Sequence, residues 1–224
     1  MTIWKSRDSL LIILVMLKCD VLKPETDFDF YSLDYSNPEI IGTFKPHKMS
    51  MIHSFSITEN YVIFLYSPVL APSTTCLMAN HFHVTDCIQV LEEQTDVFVV
   101  NLKTGEVTEM QADIVFSLHH VNAYEKDNEI IIDLSPSAEF ALRDYTSLEN
   151  MLNPPEEEQG INASEELTRV TINMKTHQIS SETHSTGIDS ELTRYAQKFD
   201  FPTINEAYRG KEVLYNQNTL NPLS

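Results

Sequence analysis

Glycine is scarce, with five in 224 residues, and no two of them stand close together. That leaves no Gly-rich loop to cradle a phosphate and no Gly-x-Ser-x-Gly elbow, so nucleotide-dependent and serine-hydrolase chemistry have no support. Cysteine is also rare. Cys19, Cys76 and Cys87 are too few and too irregularly spaced for a disulfide framework, and no CxxC pair suggests structural zinc. They are expected to be small buried hydrophobes in a reducing, cytoplasmic setting. Positive charge is short: 15 Lys and Arg stand against 33 Asp and Glu, a formal charge of −18. Such a surface repels phosphate backbones and anionic lipid, which excludes nucleic acid as a partner. Long apolar runs are missing too. Leu10 to Leu17, eight residues after Lys5 and Arg7, has the outline of a short signal segment. It is well below the roughly 20 residues that cross a bilayer. Lys18, Cys19 and Asp20 follow it without a small-x-small cleavage site, so the sequon at Asn162-Ala163-Ser164 is not expected to be used.

What the sequence does contain is strand signal, densest from residue 49 to residue 134. Over Met49 to Ile57, alternation places Met49, Met51, His53, Phe55 and Ile57 on one face and Ser50, Ser54 and Ser56 on the other. Thr58, Glu59 and Asn60 then turn the chain into Tyr61 to Tyr66, completing a hairpin. A second hairpin runs from Asp96 to Leu102, through Lys103, Thr104 and Gly105, into Glu106 to Glu109. Ile114 to Tyr124 and Glu129 to Leu134 read as a third pair around Glu125 to Asn128, and Leu167 to Met174 as a further strand. One helical stretch is expected between Ser137 and Leu152, ended by Pro154 and Pro155 ahead of the solvated acidic run Glu156 to Glu158. No internal repeat stands out. The fold class is all-β, and pattern alone leaves propeller, barrel and sandwich open.

Among residues able to carry chemistry, His53 and His119 sit among apolar or small neighbours, where a charged imidazolium is costly. Taken singly, each reads as a hydrogen-bonded core histidine rather than a metal ligand. They lie 66 positions apart and form no local clamp. A local pair does exist at His81 and His83, close to Cys76 and Cys87, but these spacings fit no zinc motif. His120 is expected on the face opposite His119.

Three stretches, in order, resemble the carotenoid oxygenase family, which includes carotene-cleaving dioxygenases and a retinoid isomerohydrolase. Ile52-His53-Ser54-Phe55-Ser56-Ile57-Thr58-Glu59-Asn60-Tyr61 resembles the family's His-Ser-Phe-Gly-x-Thr-x-Asn-Tyr strand and turn. Leu118-His119-His120-Val121-Asn122-Ala123-Tyr124-Glu125 resembles its Phe-His-x-x-Asn-Ala-(Tyr or Trp)-Glu motif. Phe199-Asp200-Phe201-Pro202-Thr203-Ile204-Asn205 is similar to a Phe-Glu-Phe-Pro-x-Ile-Asn segment. The resemblance implies that His53 and His119 are iron ligands and that Asp200 braces the imidazole of His119. Aspartate replaces the family's glutamate there, and Ser56 replaces its glycine.

The resemblance covers roughly residues 40 to 216, so residues 41–224 are assigned to a partial propeller domain and 1–40 are left poorly assigned. It implies about half of a seven-bladed β-propeller with Fe(2+) on its axis, held by four histidines of which two are found here. The implied activity is cleavage of a carotenoid or apocarotenoid double bond by O2, giving aldehyde or ketone products. A retinoid isomerohydrolase and a non-catalytic protein that binds an apolar ligand remain alternatives. Carotenoid or retinoid substrates and O2 are the expected partners, with peripheral membrane contact through apolar loops. With two ligands of four, residues 1–224 alone are expected to be inactive.

Overall fold

A computed structural model describes residues 12–18, 27–33, 39–46, 50, 52–70, 73–79, 87–114, 116–136, 152, 166–185, 204 and 208–212. The chain divides into two compact units, Met1–Ala112 and Asp113–Ser224.

The first unit opens on an antiparallel sheet of β1 (Ile12–Lys18), β2 (Asp27–Leu33) and β3 (Glu39–Phe44). The apolar run with a signal-like outline is therefore largely a paired strand, with Ile12 opposite Leu33 and Lys18 opposite Asp27. A four-stranded sheet follows in the order β4 (Ser56–Ile57), β5 (Tyr61–Tyr66), β8 (Thr95–Asn101) and β9 (Val107–Ala112). Between β5 and β8 the chain makes an excursion containing β6 (Val69–Leu70), α1 (Thr74–Ala79) and β7 (Gln89–Val90). Every residue of β8 but the last is buried, as befits a continuous apolar strand covered on both faces. The aromatic core is built from alternate positions. Phe44 stacks on Phe98 at 4.3 Å between centroids, Phe55 on Phe64 at 5.1 Å, and Tyr66 meets Phe98 edge-on at 5.9 Å.

The expectation of three free cysteines is corrected here. Cys76, on α1, and Cys87 form a disulfide, with Cα atoms 5.7 Å apart. A helix of six residues is too short to hold itself. The Ser73 hydroxyl caps it through the Cys76 N–H at 3.2 Å, and the disulfide ties it to Cys87, just ahead of β7. With two of three cysteines bridged, cysteine count gives no argument for a reducing compartment.

The second unit holds one antiparallel sheet in sequence order: β10 (His119–Lys126), β11 (Glu129–Ser135), β12 (Glu166–Asn173) and β13 (Gln178–Ser185). Asp127 and Asn128, at φ 51° and 67°, form the tight turn between its first two strands. The strand expected from Ile114 begins only at His119. The helix expected between Ser137 and Leu152 lies outside the described residues except for Leu152, which is helical.

The two four-stranded sheets are built alike, a repeat that the sequence hides. In each, the first turn ends on an asparagine, Asn60 or Asn128, whose carbonyl accepts from the residue after the third strand, Leu102 at 2.8 Å or Met174 at 3.0 Å. The third turn reads Asn-x-Lys-Thr in both. Asn101 Oδ1 accepts from the Lys103 and Thr104 amides at 2.9 and 3.1 Å, and Asn173 Oδ1 from those of Lys175 and Thr176, both at 3.0 Å. Each turn closes on a left-handed residue, Gly105 at φ 72° or His177 at φ 56°. Gly105 is required at its place, because a Cβ would stand 2.1 Å from the carbonyl oxygen of Ile41. Strand order and turn hydrogen bonds, not residue identity along the strands, carry the repeat, which is why composition and periodicity pass over it.

Candidate functional site

His53 lies on an irregular stretch between two fixed points. Upstream, the Ser50 N–H donates to the Tyr66 hydroxyl at 2.8 Å, and the Ser50 hydroxyl bonds the Ser67 carbonyl and, at 3.2 Å, that of Val69. Downstream, pairing resumes where Ser56 faces Ile63. Residues 52–55 belong to no ladder, so the expected alternation over Met49 to Ile57 fails. Ile52 and Phe55 pack against the aromatic core, whereas His53 is exposed and not on the apolar face. Ser56, expected on the outer face, is buried.

Burial raises the Tyr66 phenol to about 12, with the nearby Asp96 carboxylate adding to the rise and the Ser50 N–H opposing it. The unfolded chain ionises near pH 10.0 and the folded one does not, so stability present below pH 10 is lost as pH climbs toward 12. The loss is expected to approach about 3 kcal/mol. Denaturant unfolding at a series of pH values measures it, and Tyr66→Phe is expected to flatten this part of the profile.

His119 is the first residue of β10 and faces Ser135; His120 faces Leu134. As neighbours on one ladder they leave the strand on opposite faces. Both are partly buried. Burial, with a smaller contribution from His119, lowers the His120 imidazole to about 4, so it is neutral at physiological pH. A register shift between His120 and Asn122 then makes Val121 the extra residue of a β-bulge. The Ser117 hydroxyl sits beneath this strand end, donating to the carbonyls of His119 at 2.9 Å and Ser135 at 2.7 Å.

Asn122, part of the second motif, does work that sequence reasoning missed. Its side chain is used at both ends. Nδ2 donates to the Lys211 carbonyl at 3.0 Å, and Oδ1 accepts from the Gly210 N–H at 3.0 Å, holding residues 208–212 against β10. Lys126 and Glu212 add an exposed ion pair at 2.6 Å. The left-handed Gly210, at φ 73°, marks this turn in the sequence. Further along the sheet, the fully buried Asp133 is paired by both arms of Arg169, at 2.8 and 3.1 Å.

Asp200, His81 and His83 lie outside the described residues. Cys76 and Cys87, as a disulfide, offer no thiolate to zinc. Among the described residues no three His, Cys, Asp or Glu side chains gather as a ready-made metal cluster. The two candidate histidines are instead found one in each unit, His53 shortly before the first strand of its sheet and His119 opening the first strand of the other.

Comparison with known proteins gives the chain a context. The chain is 26% identical over 189 residues to β,β-carotene 15,15'-dioxygenase of Mus musculus, a match covering 74% of this chain and 33% of the mouse protein. It is 29% identical over 85 residues to the apocarotenoid-15,15'-oxygenase of Synechocystis, covering 38% of this chain and 17% of that protein. The solved structure of cobalt-substituted Synechocystis ACO superposes with a TM-score of 0.54 at 20% identity, over 76% of this chain and 34% of that one. The matched region thus spans about a third of the length of the dioxygenases it resembles. The family described as retinal pigment epithelial membrane protein matches residues 13–216, and with that match over most of its length the chain belongs to this family of carotenoid oxygenases.

Proposed function

We propose that the native protein cleaves a double bond of a carotenoid or apocarotenoid with O2, at a non-haem Fe(2+) for which His53 and His119 each supply an imidazole. The observation that carries the reading is positional. Two histidines whose flanking residues resemble the family's ligand motifs stand near the starts of two sheets built on the same plan. Antiparallel four-stranded sheets connected in this way are what propeller blades are made of, and we read them as two blades of a seven-bladed propeller.

The residues suit the metal. Neutral imidazoles are good ligands for iron, and an all-histidine set leaves positions open for O2. Bound iron would supply the oxygen chemistry; the chain supplies placement. His119 opens a strand and His53 lies on the anchored stretch that leads to one, and Asp200 is assigned to accept from the far ring N–H of His119, fixing its tautomer. Apolar substrate would arrive from lipid. With a charge of −18, docking rests on shallow insertion of apolar side chains, for which the exposed Met78 on α1 is a candidate. No helix among the described residues is long and apolar enough to cross a membrane.

Two ligands do not complete the site, so residues 1–224 by themselves are expected to bind iron weakly and to be inactive. The test is to express the whole coding sequence and, separately, residues 1–224. Iron content is then measured, and each protein is incubated under O2 with β,β-carotene, an apocarotenal or a retinyl ester. Paired carbonyl products from the protein of the whole coding sequence support the reading. Retinol released from a retinyl ester would assign an isomerohydrolase instead, and an iron-free protein without turnover would leave only apolar-ligand binding.

A further inference from the structure

The two sheets share one more feature, and it lies in the chain that leads to each candidate ligand. In each sheet the chain leading to the histidine carries a serine whose hydroxyl bonds the carbonyl of a second serine at the end of the second strand. Ser50 holds Ser67 and Ser117 holds Ser135. The acceptors are equivalent, since Ser67 is seven residues after Asn60 and Ser135 seven after Asn128. The donors precede their histidines by three and two residues. We propose that Ser50 and Ser117 are positioning residues that fix the reach of His53 and His119; this rests on the iron reading above.

The physical need is plain at both places. A strand end frays because its terminal groups have no further ladder to join. His119 is such an end, and the Ser117 hydroxyl shares its single proton between the His119 carbonyl and that of its cross-strand partner. At His53 no ladder exists at all, and the anchor is correspondingly stronger. Ser50 is buried, uses its N–H on Tyr66 and its hydroxyl on Ser67 and Val69, and pairs by an isolated bridge with Leu70. Metal ligands must be held to within about 0.5 Å for a productive site, which a freely fraying backbone does not provide. Neither serine touches the metal in this scheme; each acts through the backbone next to its histidine.

The test uses the protein from the whole coding sequence, Ser117→Ala, Ser50→Ala and the hydroxyl-retaining Ser117→Thr, with Co(II) as probe. Ring-proton signals of the histidines are followed by NMR during titration, and backbone amide exchange is measured without metal. Ser117→Ala is expected to weaken Co(II) binding about ten-fold. Exchange at the His119 and His120 amides should quicken by a similar factor while Ile132 and Val170 keep their protection, and Ser117→Thr should restore both. Ser50→Ala is expected to act likewise on the ring signal of His53. Unchanged Co(II) affinity and unchanged exchange in Ser117→Ala would overturn the proposal. If the wild-type ring signals ignore Co(II), the iron reading fails, and so does the positioning of ligands; faster exchange would then report a strand latch alone.

Discussion

His119→Ala in the native protein is expected to lower Fe(2+) affinity by more than about a hundred-fold and to abolish carotenoid cleavage. Removing a group that merely braces a metal-bound imidazole costs about 10 to 100-fold in affinity, and removing the imidazole itself must cost more. Anaerobic Fe(2+) titration with product analysis measures both effects. His120→Ala is the control. His120 leaves the strand on the opposite face and is held neutral by burial, so its loss is expected to affect folding rather than iron. Asp200→Asn should fall between the two, weakening iron without eliminating it. If His119→Ala retains full iron and activity, the ligand assignment is wrong, however good the motif.

The largest effect on stability is expected from Arg169→Met, at about 3 to 5 kcal/mol. Asp133 sits in the middle of β11 with its side chain 0% exposed, and its charge is met by the two-armed contact from Arg169 across the ladder. Methionine keeps much of the packing volume but leaves a carboxylate buried without a counter-charge, so the chain must either protonate it or open the sheet. Asp133→Ala is expected to cost less, since the Arg169 side chain, 23% exposed, can turn toward water. The double change Arg169→Met with Asp133→Leu should recover most of the loss, because two apolar groups of similar volume replace a pair whose desolvation was already expensive. Urea unfolding of the four proteins gives the comparison directly. Equal stability of Arg169→Met and wild type would show that the buried Asp133 carboxylate does not depend on Arg169.

Much of the β structure was legible because its signals are local. The hairpins around Glu59 and Gly105 and the turn at Asp127 and Asn128 follow from polar turn residues between alternating apolar stretches, and all three are present. Other elements were not legible for definable reasons. β1 is a continuous apolar run, which periodicity cannot separate from a short signal segment, and only its partner β2 makes it a strand. The short α1 has too few residues for a helical period to register and depends on a cap and a disulfide. That disulfide joins two cysteines whose spacing matches no familiar framework, so proximity had to come from the fold.

The candidate site divides in the same way. Residue types in order determined the family motifs, hence which two histidines and which acid to single out, because ligand chemistry is a property of side chains. The direction and support of those histidines belong to tertiary structure. His53 was assigned by alternation to an apolar face, yet alternation needs a continuous ladder, and Ser50 takes the backbone out of one by bonding Tyr66, Ser67 and Val69, residues up to 19 positions away. His119 has a ladder, but its end is secured by Ser117 and Ser135, and the bulge after His120 frees Asn122 to hold a segment 88 residues further on. Sequence alone thus determined the chemistry on offer, and long-range hydrogen bonds decided where it stands.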